Sequence, residues 1–436
     1  RPSQPPGKHG RDLGAVCGKR GGVGEDSGVA VKAGWDVVAL EDVCEFLDRR
    51  GITPEKLGSQ FVADGYRVIS AKNIKGRAVD TTIGEPRFVD ESTYRRWMNS
   101  PILADDVLLT SEAPLGEPAY LDQKLSWCLG QRLFGIRTNK SKLFGRYLYY
   151  ALQASPVRED MLARATGATA QGIRQAELRK VALPLPPLEE QRRIVALLDE
   201  AFAEIAAARA SAGKNLQNAR ALFESHLQSV FTERGEGWVE APLAKLCDTL
   251  RVITYGVIKL GEEVANGVPC LRTSNVRWLR IETEGVKRIA PTLSAEYSRT
   301  TLKGGEVLVN VRGTLGGVAV VPPEMAGWNV SREVAVVPID STKVNPAFLS
   351  YFIASGASQQ WLGKVKKGAT YVGINIEDLR LLPVSAPAMK DQLQVVEHLR
   401  VLEEETQCLE SLYQRKRAVL DELKQSLLNH AFSGQL

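Results

Sequence analysis

The stretch "GATAQGIRQAELRKVALPLPPLEEQ", Gly167–Gln191, has a near copy later in the chain: "GATYVGINIEDLRLLPVSAPAMKDQ", Gly368–Gln392. Each copy opens in a glycine-containing loop and ends where a long helical pattern begins. After the first copy, apolar residues step by three and four through Leu188, Val195, Leu198, Phe202, Ile205, Ala212, Leu216, Ala219, Phe223 and Val230. After the second they run through Val395, Leu399, Leu402, Leu409, Tyr413, Leu420, Leu423 and Leu427. Such spacing, sustained over several heptads with charge between, predicts two coiled-coil helices. Pro184, Pro186 and Pro187 sit where proline is tolerated, at or before a first helical turn, and Pro387 takes this place in the second copy. Glu189 and Glu190, and later Asp391, suit the positive end of the helix dipole. At a rise of about 1.5 Å per residue, roughly 45 residues make a rod of about 65–70 Å.

Working outward, the rest of the chain repeats too. "GWDVVALEDVCEFL" (34–47) matches "GWVEAPLAKLCDTL" (237–250), and "DVLLTSEAPLGEPAYL" (106–121) matches "EVLVNVRGTLGGVAVV" (306–321). "QRLFGI" (131–136) lies over "SREVAV" (331–336), and "SHLQSVF" (225–231) over "SLLNHAF" (426–432). Offsets that stay between 200 and 203 in one order mean one unit present twice, a domain with its helical tail. Short β-rich runs such as "YRVIS" and "EVLVNV" alternate with helical stretches such as "KLFGRYLYYALQ", so each globular part is a mixed domain. The fold class expected is α+β: two α/β domains separated by two long helices forming an antiparallel coiled coil, because the chain must return through the second domain. The boundaries are a disordered basic Gly/Pro-rich tail at 1–33, domains at 34–186 and 236–386, and helices at 187–235 and 387–436.

Bulk composition narrows the function classes. With 436 residues, 44% hydrophobic and 25% charged, the chain reads as an ordinary globular protein of several domains. No apolar run reaches membrane-spanning length and no secretion signal is visible, so a cytoplasmic location is expected. The six cysteines form no C-x-x-C pair and read as reduced core thiols. The net charge of +5 carries little, since residues 1–33 hold six basic and three acidic side chains. Phosphate-binding, dinucleotide and nucleophile-elbow motifs are missing, as are metal-ligand spacings, and no catalytic or metal-binding residue is assigned. The run Glu403–Glu405 reads as a solvated helix face, and His226, His398 and His430 as packing or surface residues.

Polar and basic residues recur at matching points of the two domains. "SAKNIKGR" offers Lys72, Asn73, Lys75 and Arg77, and "RTSNVRWLR" offers Arg272, Asn275, Arg277 and Arg280. The later loops offer Thr169, Gln171 and Arg174, then Lys366, Lys367, Thr370, Tyr371 and Asn375. These residue types, in glycine-flanked loops, can contact phosphates and base edges. For Asn73 and Asn275 a second reading stands beside it, that each amide hydrogen-bonds its own turn.

The duplicated "GAT…GI…L" loop, the "LPLPPLEEQRRIVALLDE" helix start, "CLGQRLFGIR" and the terminal "LLNHAFSGQL" resemble the specificity subunits of type I restriction–modification systems. The resemblance spans about residues 34–436. It implies two target recognition domains, each reading one half of a bipartite DNA site, and a coiled coil that fixes the unread spacer. It implies a subunit without catalysis of its own. Two modification subunits, which bind S-adenosylmethionine and methylate adenine, would dock on it, and restriction subunits using ATP and Mg would join them. Because the loops of the two domains differ so much, the target is expected to be asymmetric. The competing reading is a structural dimerisation protein, with two protein-binding domains on a coiled-coil strut.

Overall fold

The computed structural model describes residues 32–167, 171–366 and 373–436. The chain forms two compact units, Arg1–Ala207 with Val419–Leu436, and Ala208–Ala418.

In the first unit an antiparallel four-stranded sheet runs in the order Cys44–Asp48, Leu133–Thr138, Val107–Thr110, Pro118–Tyr120. Its inner strands bury both faces, so they read as apolar runs rather than alternations. The pleat still sorts them. Val107, Leu109, Phe134 and Ile136 face a layer holding the helices Gly145–Ala151 and Ser155–Ala163. Leu108 and Leu133 face the opposite layer, around Ile69, Val89, Trp97 and Leu129. That layer carries a small sheet in the order Phe88–Val89, Tyr66–Ile69, Cys128–Leu129. Its middle strand is antiparallel to the first and parallel to the last. A third pairing, Asp36–Ala39 with Ala182–Leu185, ties the start of the domain to its end.

The second unit repeats this plan strand for strand. Its four-stranded sheet runs Thr254–Tyr255, Val334–Val337, Val307–Asn310, Val318–Val320. Lys287–Ile289, Val268–Leu271 and Asn329–Val330 form the small sheet, and Val239–Pro242 pairs with Pro383–Ala386. The helical layer is Pro346–Ala354 and Gly356–Val365.

Two long helices follow the domains: a central helix, Leu188–Thr232, and a C-terminal helix, Met389–Ser433. Both units hold them antiparallel. In the first, Arg193 donates to the carbonyl of Leu436 at 2.9 Å and Lys424 lies 4.8 Å above the Phe202 ring. In the second, Arg220 pairs with Glu410 at 2.9 Å, and the Nε2 atoms of His226 and His398 meet at 2.7 Å. The repeat as read from sequence, a domain with its own tail, therefore needs one correction. Each helix starts on its own domain and ends in the core of the other. Phe231, at the end of the central helix, stacks edge-on against Phe348 and Phe352 of the second domain. Phe432, its repeat partner, packs 4.9 Å from Tyr147 of the first.

The proline-rich half of the opening stretch is a lock. Gln191 is fully buried: its side-chain oxygen accepts from the Phe144 N–H at 2.9 Å, and its amide donates to the carbonyls of Lys142 and Pro186. Gln392 repeats this, accepting from Asn345 N–H at 2.9 Å and donating to Lys343 and Pro387. Each glutamine ties the first helical turn to the loop that enters the domain's helical layer.

The glutamate run also needs correcting. Glu404 and Glu405 are exposed, but Glu403 turns inward and accepts from the Tyr351 hydroxyl at 2.6 Å. Burial raises its pKa above the ordinary carboxylate value. In the first unit the tyrosine's acceptor sits about one turn earlier on the helix: Asp199, aligned with Arg400, accepts from Tyr150 and pairs with Arg146. The thiols of Cys44, Cys128, Cys247 and Cys270 are free, and burial pushes each up to about 12, which keeps them unreactive at neutral pH. Among the described residues no helix is long and apolar enough to cross a membrane.

Candidate nucleic-acid interface

The loop that leaves the small sheet is built alike in both units, and an asparagine holds it. Asn73 is buried, accepts from the Ser70 N–H at 3.0 Å and donates to the carbonyls of Asp80 and Ile83 at 3.2 Å. Asn275 accepts from Arg272 N–H at 3.1 Å and donates to Glu282 and Glu284 at 3.1 and 3.3 Å. Of the two readings of these asparagines, the geometry matches the one in which the amide serves its own turn. Neither has an amide group left to offer a base.

Beyond each asparagine the chain makes a tight hairpin, Ile74–Lys75 with Ala78–Val79, or the bridge from Val276 to Ile281. Both tips pass through a left-handed residue, Arg77 at φ 66° and Leu279 at φ 59°. The tips lean on the helical layers. Arg77 donates to Gln153 at 2.8 Å, while its carbonyl accepts from the Tyr149 hydroxyl at 3.3 Å. Trp278 donates to the Ala354 carbonyl at 3.2 Å and stands edge-on to Phe223. Arg77 is thus a packing residue as much as a cation. Lys72 and Lys75 are exposed. Arg277 and Arg280 are exposed and share Glu282 at 3.1 and 2.9 Å, a pairing that lowers the carboxylate's pKa, the Arg277 hydrogen bond most of all. Arg272 donates to the Gly285 carbonyl at 2.8 Å.

Several loops converge on one end of each large sheet. In the first unit Ala71 N–H donates to Gln131, Ser111 N–H to Arg132, and Ile173 N–H to Ser111. In the second, Ser331 N–H donates to Leu271, Val311 N–H to Glu333, and Ile374 N–H to Val311. Gln171 and Arg174 flank this cluster in the first unit, and Asn375 in the second, all exposed. Lys366 is exposed at the end of helix Gly356–Val365. Thr169, Lys367, Thr370 and Tyr371 lie outside the described residues.

The convergence brings in side chains that reading of the loops missed. A cleft of about 760 Å³ in the first unit is lined by Lys72, Arg87, Gln131 and Arg132 together with Phe61 and Trp97. Arg87 lies 5.3 Å over the Phe61 ring. Arg132 pairs with Glu112 at 2.8 Å. In the second unit Arg312 lies 5.4 Å over the Tyr255 ring. Cations held against aromatic rings, beside amides and glycine-lined turns, form a surface suited to polyanions and base edges. The signal for Arg312 was present in the alignment of "SEAPLGE" with "VRGTLGG", where Glu112 faces Arg312.

Comparison with known proteins agrees with this architecture. The family described as type I restriction modification DNA specificity domain matches residues 32–211 and 263–415. The chain is 24% identical over 337 residues to the EcoBI type I restriction enzyme specificity subunit of Escherichia coli, covering 71% of this chain and 70% of the relative. It is 23% identical to the EcoKI specificity subunit of Escherichia coli strain K12, covering 92% of this chain and 89% of the relative. Among solved structures, a chain from a type I R-M system studied for complex assembly and conformational transition superposes with a TM-score of 0.71 at 20% identity, covering 93% of this chain and 99% of that one. The HsdS subunit from Thermoanaerobacter tengcongensis superposes at 0.54 with 19% identity, covering 93% and 98%. These two share the fold. The family match takes in both repeats and most of the chain, which therefore belongs to the type I restriction–modification DNA specificity subunits.

Proposed function

We propose that the chain reads a bipartite, asymmetric DNA site, one half with each domain, and catalyses nothing itself. The observation that carries this is the pairing of one backbone plan with two different sets of loop side chains. The Asn73 and Asn275 loops share one hydrogen-bond plan, yet one displays Lys72 and Lys75 and the other Arg277 and Arg280. Phosphate contacts from such cations would position each domain, while the converging loops reach base edges. The antiparallel helices set the number of unread base pairs between the halves. Two modification subunits, carrying S-adenosylmethionine, and restriction subunits, using ATP and Mg, supply the chemistry.

The test is methylation mapping. The full chain is assembled with its modification subunits, incubated with a randomised duplex library and S-adenosylmethionine, and the methylated molecules are sequenced. The expected result is two unlike sequence blocks at constant separation, and no methyl transfer by the chain alone. Identical blocks, a variable spacer or turnover by the isolated chain would overturn the corresponding part of the reading.

A further inference from the structure

The turn that follows the inner strand Val107–Thr110 of the large sheet, and its counterpart after Val307–Asn310, is one plan built twice with its charge reversed. After Val107–Thr110 the chain enters it at Ser111 and Glu112; after Val307–Asn310 it enters at Val311 and Arg312. Glu112 bridges to Gly172 and Arg312 to Gly373. Both glycines stand against the turn: a Cβ on Gly172 would lie 3.3 Å from the Glu112 Cβ, and one on Gly373 would lie 3.0 Å from the Arg312 Cγ. Each turn continues through left-handed residues at matching places, Ala113 and Gly316's counterpart Gly116 in one, Gly313 and Gly316 in the other. The two side chains therefore leave the same frame at the same point, and both are partly exposed.

Their neighbours differ in a chemically consistent way. Glu112 has Arg132 beside it at 2.8 Å, so an acceptor and a donor sit side by side. Arg312 lies over the Tyr255 ring, a stacking that orients a planar guanidinium. An exposed ion pair such as Glu112–Arg132 contributes at most about 1 kcal/mol to folding. The fold does not depend on keeping that pair closed.

We propose that positions 112 and 312 determine specificity in the two half-sites. Glu112 accepts from a cytosine amino group while Arg132 donates to the guanine of the same pair, and Arg312 donates to the N7 and O6 of a guanine in the other half. A carboxylate only accepts, and a guanidinium's fork matches the paired N7 and O6 acceptors of guanine, so Glu112 beside Arg132 fits the donor and acceptors of a C·G pair and Arg312 fits a guanine. The inference rests on the DNA-reading function proposed above and adds which bases the two domains select.

The experiment uses the same assembled complex and randomised library. Glu112→Ala and Arg132→Ala should each relax one and the same C·G position of one half-site, with discrimination there falling about 5- to 150-fold. Arg312→Ala should relax one G position of the other half and leave the first untouched. Arg312→Lys keeps the charge but loses the fork, so it should weaken the base preference while retaining affinity for DNA. Glu112→Gln, close in shape, guards against a folding defect. Unchanged base preference at every position would overturn the inference, as would a uniform loss of methylation with the site sequence intact. A wild-type complex with no two-part preference would overturn the function proposed above, and this inference with it.

Discussion

At the start of its long helix each domain places the same glutamine in the same three hydrogen bonds, whereas at the turn after Val107–Thr110 or Val307–Asn310 one domain places a carboxylate and the other a guanidinium. Identity at one place and opposition at the other separate two kinds of constraint. Gln191 and Gln392 satisfy buried backbone groups, and no other side chain of that length both donates and accepts in this way. Glu112 and Arg312 stand at the surface, where the frame tolerates either sign. Comparing the domains position by position thus distinguishes residues that hold the plan from residues free to select a partner.

The largest test of that comparison concerns the exchanged helix ends. Phe231 and Phe432 are both almost fully buried, but in different domains. Phe231→Ala and Phe432→Ala should each cost about 3–5 kcal/mol, the range for removing a buried phenylalanine. Hydrogen exchange should locate the damage in the second domain for Phe231 and in the first for Phe432. The reverse assignment would break the pairing of helix ends with domains.

A smaller effect is expected at the locks. Gln191→Ala strands the Phe144 N–H and two carbonyls, and Gln392→Ala strands the Asn345 N–H and two more. Each should cost about 2–3 kcal/mol, since buried polar groups without partners are expensive. Denaturant unfolding of both variants checks the magnitude. A loss in only one domain would show that the two copies of the opening stretch are not equivalent devices.

Much of this was legible in the sequence because framework residues repeat with their spacing. The offsets place Gln392 on Gln191 and Gly373 on Gly172 within the same stretch, and the heptads mark both helices. Other features were hidden for physical reasons. Which core a helix end joins depends on the direction of chain return, and "SHLQSVF" and "SLLNHAF" look alike in either arrangement. Glu403 reads as one of three solvated carboxylates until Tyr351, more than fifty residues earlier, is placed beside it. The side chains at 112, 132 and 312 are hard to read from sequence because a repeat advertises like chemistry at like positions, and the informative position is the one that changes sign. The amides of Asn73 and Asn275 have the chemistry of base readers, and the structure uses that chemistry inside the loop.

The smallest effect isolates a single substitution between the domains. Asn139 and Asp340 hold the same turn, each accepting through its side-chain oxygen from the backbone and hydroxyl two residues on: Ser141 at 3.1 and 2.8 Å, Thr342 at 3.1 and 2.6 Å. Only Asp340 titrates. The Thr342 hydroxyl, then Lys343 at 3.0 Å, depress its pKa from 3.8 to about 2. A carboxyl with a lowered folded pKa stabilises the fold above its unfolded value and loses that contribution as pH falls through the folded one. The second domain should therefore lose stability at this turn between about pH 4 and pH 2, where the amide of Asn139 contributes no change. Asp340→Asn should make the two turns alike. Unfolding midpoints of wild type and variant should differ slightly at neutral pH, with wild type higher, and converge as pH approaches 2. A constant difference across that range would mean that the carboxylate's charge plays no part in holding the turn.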